Sequence, residues 1–203
     1  TCCAVCTDLG IVTDTVREAL TGCRMVLLEA NYDDTMLSEG YYPPALKAEV
    51  ANYYQRKHGL AYQPKTETFI TVGGSEAIDM AMRAMLDPGD EVLIPEPCYV
   101  SYVPCAAMTG AKVVTIPLQE KNEFKLTEQE LLDAVTEKTK ILVLAFPNNP
   151  TGAVMTKEDL EPIARVCQEK DIYVISDEPY RELVYTDHEP AWVPDLYAPT
   201  IVC

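Results

Sequence analysis

The sequence predicts an α/β fold, a three-layer αβα arrangement around a mostly parallel sheet. Three observations predict it. From about residue 68 onward, short β-branched runs alternate with stretches carrying the spacing of a helix face. Ile141 to Phe146 is uninterruptedly apolar, as a central strand covered on both faces must be. The segments between strands are long enough for helices of about 10 to 15 residues, which implies crossover connections and parallel neighbours.

Taken in order, Phe69 to Val72 is short and β-branched and reads as a strand. Ser75 to Leu86 follows with Ile78, Ala81, Met82 and Met85 at helical spacing, and Asp87-Pro88-Gly89-Asp90 is a turn by composition. Glu91 to Ile94 reads as a strand, Tyr99 to Met108 as a helix and Lys112 to Ile116 as the next strand. Thr127 with Glu130 forms a capping-box pattern, and the helix it opens is expected to bury Leu131, Leu132 and Val135. Thr156 with Asp159 caps a further helix with Leu160, Ile163, Ala164 and Cys167 on its face, and Pro162 inside it is expected to introduce a kink. Ile172 to Ile175 is the last clear strand. Tyr53 and Tyr54, on an earlier helical stretch, read as packing residues.

The 203 residues allow one full domain with a remnant, or one large domain cut short. Acidic residues outnumber basic ones 32 to 16, and a net charge of -16 opposes both nucleic acid and anionic membrane surfaces. No apolar run approaches the ~20 residues of a membrane span, and Thr1 to Gly10 lacks a signal-peptide pattern, so the expected setting is the cytoplasm. Four cysteines fall early (Cys2, Cys3, Cys6, Cys23) and four are scattered (Cys98, Cys105, Cys167, Cys203), a distribution expected of reduced, partly buried thiols. His58 and His188 lie in polar stretches and read as solvated.

In parallel sheets ligands lie beyond the carboxyl ends of the strands, so the loops after the strands are the candidate site. Val72-Gly73-Gly74-Ser75-Glu76-Ala77 places two glycines just before a helix, which suits an anion at the free N–H groups or simply a tight turn. Phe146-Pro147-Asn148-Asn149-Pro150-Thr151-Gly152 is either a rigid turn or a loop that aims one carboxamide at a ligand. Ser176-Asp177-Glu178-Pro179-Tyr180 sets two carboxylates and a phenol after an apolar strand. Either these are surface acids at a helix start, or one carboxylate meets a bound cation such as a protonated heterocycle.

The order, spacing and strand positions of these loops, from about Pro44 to Cys203, resemble the fold-type I aminotransferases dependent on pyridoxal 5'-phosphate, specifically the class I/II, aspartate aminotransferase-like group. The resemblance implies a partial large domain of that fold. It places Gly74, Ser75 and Glu76 at the cofactor phosphate, Tyr99 stacked on the pyridine ring, Asn149 and Tyr180 donating to the ring's phenolic oxygen, and Asp177 beside the ring nitrogen. It further implies amino acid and 2-oxo acid substrates and a homodimeric parent. The strand-helix alternation, with all three motifs after strands, predicts a largely parallel sheet over residues 68–176 with the loops at Gly73, Asn149 and Asp177 converging at one edge. Relatives carry the Schiff-base lysine about thirty residues after that aspartate, and no lysine here stands in the family's Ser-x-x-Lys or Ser-Lys setting. The chain is therefore expected to lack its catalytic base and to be inactive alone, with no catalytic residue assigned within it.

The first 45 residues resemble something else. Cys6-Thr7-Asp8-Leu9-Gly10, Leu27 to Asp33 and Met36-Leu37 are similar to a late segment of metallo-β-lactamase-fold hydrolases, in which an aspartate placed like Asp8 bridges two metal ions. The His-rich metal motif of that fold is absent, so no metal site is assigned. The resemblances together imply a chimera joined near Tyr41 to Lys47, with residues 1–45 of foreign origin and 46–203 the transferase part, though a divergent extension is the other option. As a transplanted segment, the stretch Val26-Leu27-Leu28 would pack poorly. The functional expectation is an aminotransferase present as a fragment; the alternatives are a non-catalytic cofactor-binding remnant and a metallohydrolase fragment.

Overall fold

The computed structural model describes residues 44–203, apart from residue 72 and residues 186–189. The chain divides into two compact units, one reaching to Met85 and taking in Ile201–Cys203, the other running from Leu86 to Thr200. The expected boundary near residue 45 adjoins residues outside the description, and the expectations for Asp8, Val26-Leu27-Leu28, the four early cysteines and His188 also fall outside it. Among the described residues no helix is long and apolar enough to cross a membrane.

In the first unit, helix α1 spans Pro44–His58 and buries Val50, Ala51 and Tyr54. The Tyr54 ring meets Tyr53 and Tyr62 edge-on, the packing role expected of it. His58 departs from expectation. It is half-buried and its ring stacks on Tyr54 at 6.0 Å, because the last turn of the helix returns residue 58 to the face of residue 54. Gly59, with φ of +69°, then ends the helix by donating its N–H to Gln55 O. Phe69 to Thr71, expected as a strand, forms no ladder among the described residues, although Ile70 and Thr71 are buried. The Thr71 hydroxyl donates to Gly73 O at 3.0 Å, so the run serves as the entry to a helix. That helix, α2, spans Gly73–Met85 and buries Ala77, Ile78, Met80, Ala81 and Met82.

The second unit holds four parallel strands, β1 (Glu91–Glu96), β2 (Lys112–Pro117), β3 (Thr139–Leu144) and β4 (Tyr173–Ser176), in the order β2-β1-β3-β4. The apolar interiors of β1 and β3 are buried throughout, whereas β2, at the edge, alternates with exposed residues. Helix α3, Tyr102–Met108, is shorter than expected. Pro104 lacks an N–H and so belongs in a first turn, which starts the helix at Tyr102 and leaves Tyr99 in the preceding turn.

Helix α4, Glu128–Ala134, and helix α5, Lys157–Lys170, both begin with the capping boxes expected at Thr127/Glu130 and Thr156/Asp159. Leu131 is fully buried, but Leu132 is 41% exposed, a correction to the expected face. Adjacent helical positions point about 100° apart, and the α4 stripe admits only one of the two. Helix α5 runs unbroken through Pro162, whose ring removes one backbone bond from its second turn. Burial works to raise the Asp159 carboxyl, but the Thr156 N–H and the Lys125 ammonium at 3.0 Å outweigh it and hold the group below its ordinary value. A short helix α6, Val193–Leu196, precedes strand β5, Thr200–Val202. The core of this unit is formed by Leu93, Leu142, Leu144, Leu160, Ile163 and Val174 with their neighbours.

Candidate active site

Since β1, β3 and β4 are parallel neighbours, their carboxyl ends open on one edge of the sheet, and the loops after all three emerge there. The loop after β1 carries Tyr99 and leads into Tyr102, the loop after β3 carries Asn148 and Asn149, and the loop after β4 carries Asp177 to Arg181. Asp177 N donates to Leu144 O at 2.8 Å, so this residue continues the ladder one step past β4 and its position is set by the sheet itself.

Side chains then tie the three loops pairwise. The Tyr102 hydroxyl donates to Asp177 Oδ2 at 2.6 Å, with both residues buried. Asn148 Nδ2 donates to Pro97 O at 3.3 Å, and Asn149 Nδ2 donates to the Tyr180 hydroxyl at 3.3 Å. The Tyr99 ring stands edge-on to Tyr102, centroids 5.6 Å apart. A carboxylate withdrawn this far from water costs several kcal/mol unless strong donors surround it, and the short phenol bond is one such donor.

Among the expected residues, Tyr99, Asn149, Asp177 and Tyr180 all lie on these loops. Gly74, Ser75 and Glu76 form the first turn of α2 in the other unit. A Cβ built on Gly74 meets no atom within 4 Å, so packing does not explain the glycine, whereas Gly73 needs one for its φ of +81°. The two carboxamides divide their work. Asn148 Oδ1 accepts from the Thr151 N–H and hydroxyl at 3.1 and 2.8 Å and shapes the turn, while the half-buried Asn149 faces Tyr180. Sequence reasoning missed Tyr102, whose only signal was a phenol three residues after Tyr99. It also missed Asn148 as a strut between loops, and Arg181.

The two adjacent acids differ as well. The Glu178 side chain is 8% exposed, and burial pushes its carboxyl up to about 7. The Ser176 hydroxyl, which donates to Oε1 at 2.5 Å, and the Arg181 guanidinium pull against that rise, and the Asp177 charge adds to it. Burial and the nearby Glu96 charge raise the Cys98 thiol, and burial alone pushes Cys167 up to about 12, so neither is an activated nucleophile. None of the four described cysteines is in a disulfide, and Cys105, Cys167 and Cys203 are buried.

Residues 12–201 match the family model of aminotransferase class I and II. The chain belongs to that family. The chain is 45% identical over 140 residues to the aromatic-amino-acid aminotransferase 2 of Thermococcus litoralis, covering 69% of this chain and 36% of that protein. It is 43% identical over 144 residues to the aspartate aminotransferase of Pyrococcus abyssi, covering 71% of this chain and 37% of that protein. Its fold matches the crystal structure of an aromatic aminotransferase from Pyrococcus horikoshii OT3 with a TM-score of 0.76 and 32% identity, over 99% of this chain and 53% of that one.

The chain thus spans less than half the length of these two curated relatives. The family match also reaches back to residue 12, into the segment expected to come from a metallo-β-lactamase-fold hydrolase. That origin finds no support, and the expected chimera is set aside. Class I and II aminotransferases use pyridoxal phosphate. The residues present fit that group: a buried carboxylate suits a protonated ring nitrogen, and Asn149 and Tyr180 each keep a hydrogen to donate to one oxygen acceptor.

Proposed function

We propose that the protein of which these residues form part transfers an amino group from an amino acid to a 2-oxo acid, and that the loops after β1, β3 and β4 hold the cofactor ring. The observation that carries this reading is the buried Asp177 carboxylate, fixed by the ladder bond to Leu144 O and the phenol bond from Tyr102, beside the Asn149–Tyr180 pair. Pyridoxal phosphate, when bound, supplies an electron sink. In this reading Asp177 keeps a proton on the ring nitrogen, because a buried anion stabilises an adjacent cation far more than water does. Tyr102 keeps that carboxylate oriented. Asn149 and Tyr180 donate to the phenolic oxygen and Tyr99 lies against the ring, while the family resemblance assigns Gly74, Ser75 and Glu76, at the positive dipole end of α2, to the phosphate.

Support for the substrate class comes from the relatives, which are named as aromatic-amino-acid and aspartate aminotransferases. The 203 residues alone are expected not to complete the transfer, since none of their lysines stands in the family's lysine setting. The resemblance extends the reading to a cytoplasmic, homodimeric whole protein.

The test is equilibrium dialysis of the chain against pyridoxal 5'-phosphate. Asp177→Ala is expected to weaken binding at least about tenfold, the loss of ~1.4 kcal/mol from one charge-assisted contact, and Asp8→Ala to leave it unchanged. Equal affinities for wild type and Asp177→Ala would remove the ring-nitrogen assignment.

A further inference from the structure

We propose that Arg181 is a positioning residue for the ring-holding turn: it clasps the Asp177–Tyr180 segment to the 190–192 strap, with buried Glu178 as its counter-ion. The inference rests on the cofactor reading above and concerns what keeps that turn in place.

Tyr180 is the least supported of the ring-holding side chains. It is 38% exposed, so packing does little to fix it, and its position depends on the backbone on either side. Both sides are anchored. Before it, Glu178 Oε1 accepts from the Ser176 hydroxyl at the end of β4, and Pro179 restricts the backbone between. After it, the Arg181 guanidinium spreads over the strap, with one terminal nitrogen donating to Ala191 O at 3.1 Å and the other to Pro190 O at 3.3 Å. The same group lies 5.9 Å from the centre of the Trp192 ring and 3.6 Å from Glu178 Oε2. The strap is fixed in turn, since Ala191 N donates to Met155 O at 3.0 Å, Met155 is 1% exposed and Trp192 is 2% exposed.

The chemistry requires arginine. Two carbonyl oxygens, a ring face and a carboxylate are met at once by a planar group with five N–H donors, whereas an ammonium offers no plane and no fork. Glu178 Oε2 has no hydrogen-bond partner although it is buried, so Arg181 is the cation that compensates it across 3.6 Å. In the reading above Arg181 touches neither cofactor nor substrate, and its side chain is only 15% exposed. That burial brings a cost in desolvation which these partners offset.

The experiment is a double-mutant cycle on the full 203-residue chain, with pyridoxal 5'-phosphate affinity read by equilibrium dialysis and Trp192 emission read alongside. Trp192 is the single tryptophan, so its emission reports directly on the clasp. Arg181→Met is expected to shift that emission and to weaken cofactor binding about tenfold. In the Tyr180→Phe background the same substitution should weaken binding no more than about twofold, because the group it positions has gone. Arg181→Lys, which keeps the charge but loses the fork, should fall between; if Arg181→Met does not fold, the lysine variant carries the cycle.

A merely structural arginine would lower the unfolding midpoint with affinity unchanged, or would give additive losses in the cycle, and either result overturns the inference. If Asp177→Ala weakens binding and the Arg181 variants do not, the clasp is wrong and the cofactor reading stands. If the wild-type chain binds no pyridoxal phosphate, both fall.

Discussion

Replacing Glu178 by Gln is expected to flatten the pH dependence of stability between about pH 5 and pH 8. Burial lifts this carboxyl from its ordinary 4.5 to about 7 in the folded chain. Between those values the folded protein holds a proton that the unfolded chain has released, so raising the pH draws protons off the folded state and destabilises it. The penalty is absent below about 4.5 and complete above about 7; a shift of that size at about 1.4 kcal/mol per pH unit amounts to about 3 kcal/mol. Glutamine carries no such proton, so the variant should gain on wild type by up to about 3 kcal/mol as the pH rises from about 5 to about 8. At the acid end the wild-type carboxyl is itself protonated in the fold and as uncharged as the amide, so there the two chains should differ little.

The carboxyls held low, among them Asp90, by the Asp87 N–H and then Lys140, and Glu91, by Lys112 and then Thr136, give stability that is lost only as the pH falls below their ordinary values. They therefore act outside this window. The assay is urea unfolding followed by Trp192 emission at several pH values across the range, on both chains. A difference in unfolding free energy that stays constant with pH would refute the argument, because it would mean Glu178 is ionised in the fold as it is in water.

Other consequences can be measured singly. Tyr102→Phe removes the donor to Asp177 and should cost about 1.5–3 kcal/mol, read as a lower urea midpoint, since the carboxylate it leaves behind is buried. Thr156→Ala should cost about 1 kcal/mol and speed amide exchange in the first turn of α5, through loss of the cap. Lys125→Met should raise the Asp159 carboxyl toward its ordinary value, visible as a shifted midpoint in a carboxyl NMR titration. Leu131→Ala should destabilise by about 2–5 kcal/mol, while Leu132→Ala should stay within about 0.5 kcal/mol, a contrast that thermal unfolding resolves.

What could be read from the sequence followed the range of the forces concerned. The capping boxes at Thr127 and Thr156 are complete within four residues, and both form as expected. The apolar run at Ile141 betrays a central strand because burial on both faces leaves no polar alternation, although the strand itself starts at Thr139 and ends at Leu144. Leu132 was misjudged because a helical pattern two residues wide does not say where the stripe ends. Phe69 to Thr71 has the composition of a strand, but composition supplies no partner. The residues around the site show the same limit. Asp177, Asn149, Tyr99 and Tyr180 were legible through their resemblance to a family pattern, whereas Tyr102 has its partner 75 positions away and Arg181 has its partners across another segment.

The pairwise ties among the three loops have a bearing on folding order. They join residues separated by 75, 51 and 31 positions in the chain. Closing loops of that length costs entropy that a single hydrogen bond of about 1 kcal/mol does not recover. None of the ties can therefore precede the β1-β3-β4 ladder, and partial unfolding that separates those strands dissolves all three together. In native-state hydrogen exchange, the amides of Asp177 and Leu144 should open with the sheet as one cooperative unit, and a ligand held by these loops should slow exchange in the sheet core by the same factor as at the site.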